Sequence, residues 1–307
     1  MTATTGGSAL PVTSTPSISV VNVASKKVRK RLTSPWASIA VVFLAIVWTA
    51  PTFGLLVTSI RPVKDINESG WWTFFSHPTF TLDNYRQALS SSGGGLGNFF
   101  VNSAVITIPA VLIPICLASL AAYAFAWIEF KGRNLLFVVV FALQIVPIQV
   151  TLIPLLSLYV KAGLAGTFWT IWLSHTMFGL PLAIFLLHNF MKEIPRELIE
   201  AARMDGAKHV QIFFRVLLPL LTPALAAFGI FQFLWVWNDL LVALTFAGGT
   251  PDVAPLTVAL ANLSGTQGTA WQLLSAGAFI SIVIPVAVFL ALQRFFVRGL
   301  LAGGLKG

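Results

Sequence analysis

The stretch Glu-Ala-Ala-Arg-Met-Asp-Gly at residues 200–206, followed by Val-Leu-Leu-Pro at 216–219, lies in a highly charged loop. Long apolar segments flank this loop on both sides. Only 9% of the whole chain is charged, yet nine charged residues fall here: Lys192, Glu193, Arg196, Glu197, Glu200, Arg203, Asp205, Lys208 and Arg215. A loop that only joined two membrane helices would not need this set of charges. We therefore expect a partner in the aqueous phase to bind it.

The composition is that of a polytopic membrane protein. The chain has 307 residues, of which 57% are hydrophobic, and its mean hydropathy is +0.86. Soluble domains carry about 25% charged residues. The net charge of +9 does not indicate nucleic-acid binding, because the basic residues cluster at the ends of apolar segments. The single cysteine, Cys116, excludes an intrachain disulfide and disfavours a thiolate metal site.

Six apolar segments are long enough to cross a membrane, since a crossing helix needs about 20 residues. They lie at 37–60, 99–127, 135–160, 168–190, 220–246 and 271–293. The sequence thus predicts an all-α membrane protein with six transmembrane helices. Its expected regions are a disordered cytosolic leader (1–33), a first span with an external segment (34–98), a transmembrane domain (99–293) that contains the charged loop (191–219), and a cytosolic tail (294–307).

The basic residues predict the orientation of the chain. With six spans, 15 of the 19 Lys and Arg residues fall on one side, which the positive-inside rule makes cytoplasmic. Both termini and the loop around Glu200 are therefore expected in the cytosol, in a multi-pass membrane protein. The basic cluster at 26–31 resembles the start of a signal peptide, but the apolar run that follows is too long for one.

The charged loop itself predicts a short surface helix over 195–205. Pro195 suits the first turn of a helix, and Glu197 and Glu200 fall early, where the helix dipole favours negative charge. Gly206 is placed to end the helix in the left-handed conformation. Leu198, Ile199 and Ala202 are expected to form one apolar face. Residues 207–218 then resume helical character and lead through Pro219 into the fifth span.

These residues resemble a known family. Glu200-Ala201-Ala202, Gly206 and the closing Val216–Pro219 resemble the EAA loop of ABC-importer permeases, with valine in place of the more usual isoleucine. The fuller string, with Phe213 and Pro223, is similar to the carbohydrate-uptake branch, of which the maltose permease pair is best known. Trp-Asn-Asp at 237–239 is close to a signature of that branch, and the tail looks like that of α-glucoside permeases. The resemblance covers about 37–307.

The resemblance implies a protein of the bacterial cell membrane with the fold and the partners of a type I ABC importer permease. The surface helix would dock on an ATP-binding subunit, and closure of two such subunits would rock the bundle. A homologous second permease, an external sugar-binding protein and membrane lipid complete the expected partners. The chain has no Gly-x-x-x-x-Gly-Lys-Ser/Thr phosphate loop, so it is expected to be non-catalytic and without a cofactor of its own. The implied coupling residues are Glu200, Ala201, Ala202, Arg203, Asp205, Gly206 and Pro219.

Polar and aromatic residues in the fifth span admit two roles. Asp239 is the only acidic residue within a predicted span, and a carboxylate there should face a bundle interior or a wet cavity. With Asn238, Trp235 and Trp237 it either lines a sugar pathway or ties helices together. Polar residues in other spans are expected to make interhelical hydrogen bonds: Asn102, Gln144, Gln149 and His175. No ligand set at helical spacing predicts a metal site.

Other functions remain open alternatives. The same machinery can import a polyol, glycerol phosphate or another small solute. An ion-coupled secondary transporter is disfavoured because no internal repeat is evident and only Asp239 is charged within a span. A membrane enzyme is disfavoured by the lack of clustered catalytic groups. The external aromatic doublet Trp71-Trp72 suits the membrane interface, and contact with an external partner is the alternative.

Overall fold

The computed structural model describes residues 35–90, 95–247, 249–266 and 270–304, and for 264–266 and 294–304 it describes the backbone alone. Regular structure within these ranges is helical, without a strand. The chain divides into two units, Met1–Leu55 and Leu56–Gly307. The predicted leader (1–33) lies outside the described residues. The structure describes the predicted tail (294–307) only as far as residue 304, and residues 294–304 continue the last helix.

Four helices are long and apolar enough to cross a membrane. They are Pro35–Ser59, Leu96–Trp127, Phe168–Lys192 and Trp271–Gln293, and they match the predicted first, second, fourth and sixth spans. The second and fourth spans pack closely against each other, and small residues such as Ala118, Ala122 and Ala183 are fully buried between the helices of the core. Small side chains allow helix backbones to approach closely where lipid supplies no hydrophobic driving force.

The third span is broken. Arg133–Ala142 continues as a 3₁₀ turn over Leu143–Ile145, and Ile148–Lys161 then leaves at 100° to it. Pro147 explains the break, because it has no N–H to donate and it pushes the preceding Val146 into an extended conformation (φ −69°, ψ 120°). The predicted segment 135–160 is therefore two helices that together make one bent span.

The fifth span is also broken, and this corrects the predicted boundaries of 220–246. His209–Leu220 meets Thr222–Trp237 at an angle of 71°, and the second helix ends at Trp237. A separate short helix, Leu241–Ala247, follows. Asp239 thus lies in a break between two helices and not within a continuous transmembrane helix.

The segments outside the spans contain short helices and turns. The external segment holds the helices Val63–Glu68 and Asp83–Ser90 and a 3₁₀ turn at Trp71–Phe75. The buried guanidinium of Arg61 binds this segment together, donating to carbonyl oxygens such as that of Gly70 (2.9 Å). The segment before the sixth span contains the helix Leu256–Thr266.

Candidate functional site

The predicted surface helix is present at Arg196–Met204, and Pro195 immediately precedes it instead of occupying its first turn. At its other end, Gly206 has a φ of +80°. The Ala207 N–H donates to the Ala202 carbonyl (3.0 Å), and the Gly206 N–H donates to the Arg203 carbonyl (2.9 Å). This pair of bonds is the Schellman motif, which satisfies the last carbonyls of a helix and requires a left-handed residue. The helix is therefore held to a defined length.

One residue anchors the surface helix to the body of the protein. The Ile199 side chain is only 2% exposed and belongs to the largest apolar cluster. Full burial of such a side chain is worth about 1.5–3 kcal/mol. The cluster joins the ends of three spans to this helix through buried side chains: Tyr123 and Phe125 of the second span, Leu187 and Met191 of the fourth, Ile194 after it, and Ile212, Phe213 and Leu217 of the fifth. The surface helix is thus packed against three spans.

The three predicted apolar residues of this helix differ in exposure. Ile199 and Ala202 pack in the core cluster, whereas Leu198 is exposed, as are Ala201 and Met204. Met204 is 84% exposed, although it is a large apolar side chain. These three residues recur every third position and so form a stripe on one side of the helix. We call Leu198, Ala201 and Met204 the outer stripe.

The remaining predicted loop residues lie around this helix. Glu200 and Arg203 are exposed and line a small recess beside the end of the second span. Asp205 is exposed at the C-terminal end of the helix, and its N–H donates to the Ala201 carbonyl (3.0 Å). Pro219 is exposed within the short helix Leu218–Leu220, next to the bend of the fifth span.

A hydrogen bond that sequence analysis did not find links this loop to the second span. The Tyr123 hydroxyl lies 2.7 Å from Nδ1 of His209, the first residue of the helix that follows the surface helix. The Tyr123 ring also contacts the Phe213 ring edge-on, at 5.5 Å between centroids. Phe213 begins a π-helical turn, Phe213–Leu217, and such turns are rare and frequently occur at functional sites.

A second group of polar side chains lies deep among the spans. His175 of the fourth span is 1% exposed, and its Nε2 lies 3.7 Å from Oδ2 of Asp239. The Asp239 carboxylate accepts hydrogen bonds from the N–H groups of Val242 (3.4 Å) and Ala243 (2.9 Å), and so caps the helix Leu241–Ala247. We call His175 and Asp239, together with Gln232, the polar centre.

Gln232 joins the polar centre from the fifth span. Its amide donates to the carbonyls of Ala110 (3.2 Å) and His175 (3.3 Å), so it bridges the second and fourth spans. The Gln232 Oε1 and the His175 Nδ1 are buried without a hydrogen-bond partner among the described residues. Trp235 packs edge-on against the His175 ring at 5.1 Å.

The other aromatic and amide residues near the break make local contacts. The Trp237 indole donates to the Ser281 carbonyl of the sixth span (3.0 Å) and stacks on Phe233. The Asn238 amide donates to the Leu234 carbonyl of its own helix (2.7 Å). These contacts suit residues that tie helices together, and a role for them in the solute pathway stays a prediction.

The break in the third span opens a groove of about 620 Å³ against the fourth span. Gln144 and Gln149 line it, and both side chains are exposed instead of making the predicted interhelical hydrogen bonds. Asn102 also departs from that prediction, because its amide donates to loop carbonyls of Asp252 (3.0 Å) and Ala254 (3.1 Å). No group of three His, Cys, Asp or Glu side chains able to hold a metal ion occurs among the described residues.

Comparison with known families identifies the chain. The family described as "Binding-protein-dependent transport system inner membrane component" matches residues 89–301, a range that includes the surface helix, the polar centre and the groove. The chain belongs to this family. It is therefore a membrane component of a transport system, as the EAA-like string indicated.

Individual members of this transport family resemble the chain over most of its length. The osmoprotective compounds uptake permease protein GgtD of Synechocystis sp. is 54% identical, covering 87% of this chain and 91% of its own length. The alpha-glucoside transport system permease protein AglG of Rhizobium meliloti is 53% identical over 77% of this chain and 63% of its own length. The trehalose transport system permease protein SugB of Mycobacterium tuberculosis is 34% identical over 84% of this chain.

A solved structure supports the fold of this family member. A chain from a bacterial ABC transporter involved in the import of the acidic polysaccharide alginate superposes with a TM-score of 0.71. The superposition covers 92% of this chain and 100% of the other, at 20% sequence identity. The predicted type I ABC importer permease fold is confirmed by this match and by the family.

Proposed function

We propose that this chain is the permease subunit of an ATP-driven importer for a neutral carbohydrate, with an α-glucoside or a related small oligosaccharide as its solute. The family supports a binding-protein-dependent transport role. Relatives with names that specify alpha-glucoside and trehalose transport support the solute class. The observation that carries the mechanism is the surface helix, because it lies outside the spans yet is anchored to three of them.

The outer stripe is the surface that receives an ATP-binding subunit. Leu198, Ala201 and Met204 are exposed and apolar, and an exposed apolar patch rimmed by charge is typical of a protein contact. Ile199, on the inner side of the same helix, is fixed in the core. When an ATP-binding subunit docked on the outer stripe moves the surface helix, the second, fourth and fifth spans therefore move with it. ATP is bound by the partner, and this chain needs no cofactor of its own.

The groove beside the third span is the best candidate for the solute path within this chain. Irregular backbone at membrane depth is tolerated where it lines a cavity, and discontinuous helices mark solute sites in other transporters. Gln144 and Gln149 offer both donors and acceptors to sugar hydroxyls. The apolar wall around them, which includes Met177 and Phe178, suits the faces of a pyranose ring.

The remaining parts of the proposal concern assembly and orientation. The surface helix faces the cytosol with both termini, in keeping with the segregation of basic residues. A second, homologous permease completes the translocation path, two ATP-binding subunits bind beneath the pair, and an external binding protein delivers the sugar. The external segment at 61–98 and the loop at 247–270 are the surfaces for that binding protein.

A second solute class is supported by the 54% identical relative, whose name specifies uptake of osmoprotective compounds. The two classes are separated by competition against the uptake of a labelled sugar into proteoliposomes that contain the complete transporter. Unlabelled α-glucosides and trehalose should displace the labelled sugar, whereas a zwitterionic osmolyte should not. Displacement by the osmolyte alone would move the assignment to the second class.

The test is sugar uptake into proteoliposomes that contain the complete transporter, with its binding protein outside and ATP inside. The variant Met204→Glu places a charge on the outer stripe and should abolish uptake and binding-protein-stimulated ATP hydrolysis. The matched control Met204→Leu keeps the apolar surface and should retain both. Uptake that continues in the Met204→Glu variant, or in vesicles with an ion gradient and no ATP, would contradict the proposal.

A further inference from the structure

A small charged recess lies beside the surface helix, on a side that the outer stripe does not occupy. It has a volume of about 130 Å³, and its polar lining comes from Trp127, Glu129, Arg133, Arg196, Glu200 and Arg203. A cavity needs only about 10–15 Å³ to admit one water, so this recess has room for a group the size of a phosphate. It lies where the second span ends at Trp127 and the third begins at Arg133.

The recess offers more hydrogen-bond donors than its own side chains use. None of its five charged side chains makes an ion pair within 4 Å in the described part of the chain. Within the ranges that the structure describes, the three arginines donate a single side-chain hydrogen bond, a long one from Arg133 to the Ile128 carbonyl (3.3 Å). The Trp127 indole N–H is buried and has no partner among the described residues. Three guanidinium groups and two carboxylates give the recess a net charge of about +1, and the indole adds one more hydrogen-bond donor. This combination favours an anion.

The position on the helix separates this recess from the proposed ATPase contact. Arg196, Glu200 and Arg203 recur at intervals of four and three residues and so lie along one face. At 100° per residue, Ala201 in the middle of the outer stripe points about 130° away from the centre of that face. A subunit docked on the outer stripe therefore does not need to fill the recess.

The rim of the recess adjoins an exposed apolar surface. A second hollow of about 350 Å³ adjoins it through Glu129 and Arg133 and is lined by Phe130 and Leu135. Leu135 is 71% exposed and begins the apolar outer surface of the third span. Arginines next to an exposed apolar surface at a membrane boundary suit a ligand with an anionic head and an apolar tail. Basic pockets between transmembrane helices on the cytoplasmic side bind phospholipid head groups in this way.

We infer that this recess binds the phosphate of an anionic phospholipid from the cytoplasmic leaflet. The phosphate oxygens accept hydrogen bonds from Arg133, Arg196 and Arg203, and the acyl chains lie along Leu135 and the third span. The bound head group would join the end of the second span to the surface helix. The choice of leaflet rests on the proposed function, whereas binding itself depends only on the recess.

The inference is tested on the complete transporter in nanodiscs of phosphatidylcholine to which phosphatidylglycerol is added, with retained lipid counted by native mass spectrometry. Phosphatidylglycerol should be retained in preference to phosphatidylcholine. Arg133→Gln and Arg196→Gln should each weaken retention about fivefold, which corresponds to about 1 kcal/mol per basic residue near a membrane surface. Among the described residues the Arg196 side chain makes no hydrogen bond or ion pair. A loss of retention in the Arg196→Gln variant would therefore not come from a broken contact within the chain.

Lys131→Gln is the matched control, because it removes the same charge from the same turn and Lys131 does not line the recess. It should leave retention unchanged. Equal retention of the two lipids, or an equal loss with Lys131→Gln, would overturn the inference. Displacement of the lipid by inorganic phosphate would assign the recess to a free anion, and lipid binding seen only without the ATP-binding subunits would assign it to a protein contact. Either result also overturns it. Sugar uptake is measured separately, so this inference and the proposed function can fail independently.

Discussion

The surface helix and the polar centre are both short polar regions in an apolar chain, but they are specified in different ways. The surface helix is defined by local rules: a proline before it, a left-handed glycine after it, and one buried isoleucine between. The polar centre brings His175 of the fourth span together with Gln232 and Asp239 near the end of the fifth, so it forms only when these spans pack together. Changes at the first region should therefore affect coupling, and changes at the second should affect stability.

The largest effect is expected at Gly206. Its φ of +80° is closed to proline, whose ring fixes φ near −65°. Gly206→Pro should remove the Schellman motif, let the helix end in a different place and abolish sugar uptake in proteoliposomes. Gly206→Ala meets no atom within 4 Å of its Cβ, so it carries only the backbone cost of about 1–2 kcal/mol and should lower uptake partially.

Gly163→Ala is the control for this series, because Gly163 also has a positive φ (+68°) and open space around it but lies in the turn after the third span. It should transport sugar at the normal rate. Normal uptake by Gly206→Pro, at normal membrane levels of the protein, would show that the defined end of the surface helix is not needed for coupling.

Glu200→Lys, which reverses a charge on the same helix, should also abolish uptake while leaving membrane insertion intact.

The next effect is a loss of stability at Asp239. Asp239→Ala removes the carboxylate that caps Leu241–Ala247 and leaves two backbone N–H groups without an acceptor. Loss of a cap costs about 0.5–2 kcal/mol, and each buried unpaired polar group costs about 1–3 kcal/mol. The variant should lower the thermal unfolding temperature of the detergent-solubilised protein by several degrees. Asp239→Asn keeps one acceptor oxygen and should be milder; equal losses would argue against the capping role.

The sequence predicted the surface helix well because each of its signals is local. The boundaries were correct within about one residue, and the left-handed Gly206 was anticipated. The exposure of each apolar residue could not be predicted in the same way. Leu198, Ile199 and Ala202 look equally apolar in sequence, and only the packing of the spans decides that Leu198 is exposed.

The polar centre could not be predicted because its partners come from different spans. Asp239 was expected inside a continuous span, whereas the helix ends at Trp237 and the carboxylate caps the next helix. The available signal was the Asn238-Asp239 pair, since both residue types favour helix ends over helix interiors. The break at Pro147 had a clearer signal in the proline itself, but its angle of 100° follows from tertiary packing.

A pair of glycines tests how tightly the polar centre is packed. A Cβ at Gly179 would lie 2.7 Å from Oε1 of Gln232, and the Gln232 amide is held by carbonyls of two spans. Gly179→Ala should therefore destabilise the protein by about 1–3 kcal/mol, as overpacking does. Gly229→Ala in the fifth span meets only Ile115 Cδ1 at 3.4 Å and should be nearly neutral. Equal unfolding temperatures for the two variants would mean that Gln232 moves aside without loss.

The smallest effect, and the one that separates coupling from stability most directly, is expected at Tyr123. Tyr123→Phe keeps the ring contact with Phe213 and removes only the 2.7 Å bond to His209, which is worth about 0.5–1.5 kcal/mol. Because that bond joins the second span to the segment after the surface helix, its loss should raise the ATP hydrolysed per sugar imported. Tyr159→Phe removes a bond to Ser174 that is similar in kind (3.1 Å), but Tyr159 belongs to a different apolar cluster from the one that holds Ile199 of the surface helix. Its ratio of ATP to sugar should stay normal even if its unfolding temperature falls. Identical ratios in the two variants would mean that Tyr123 contributes to packing alone and that the force on the surface helix reaches the spans through the Ile199 cluster.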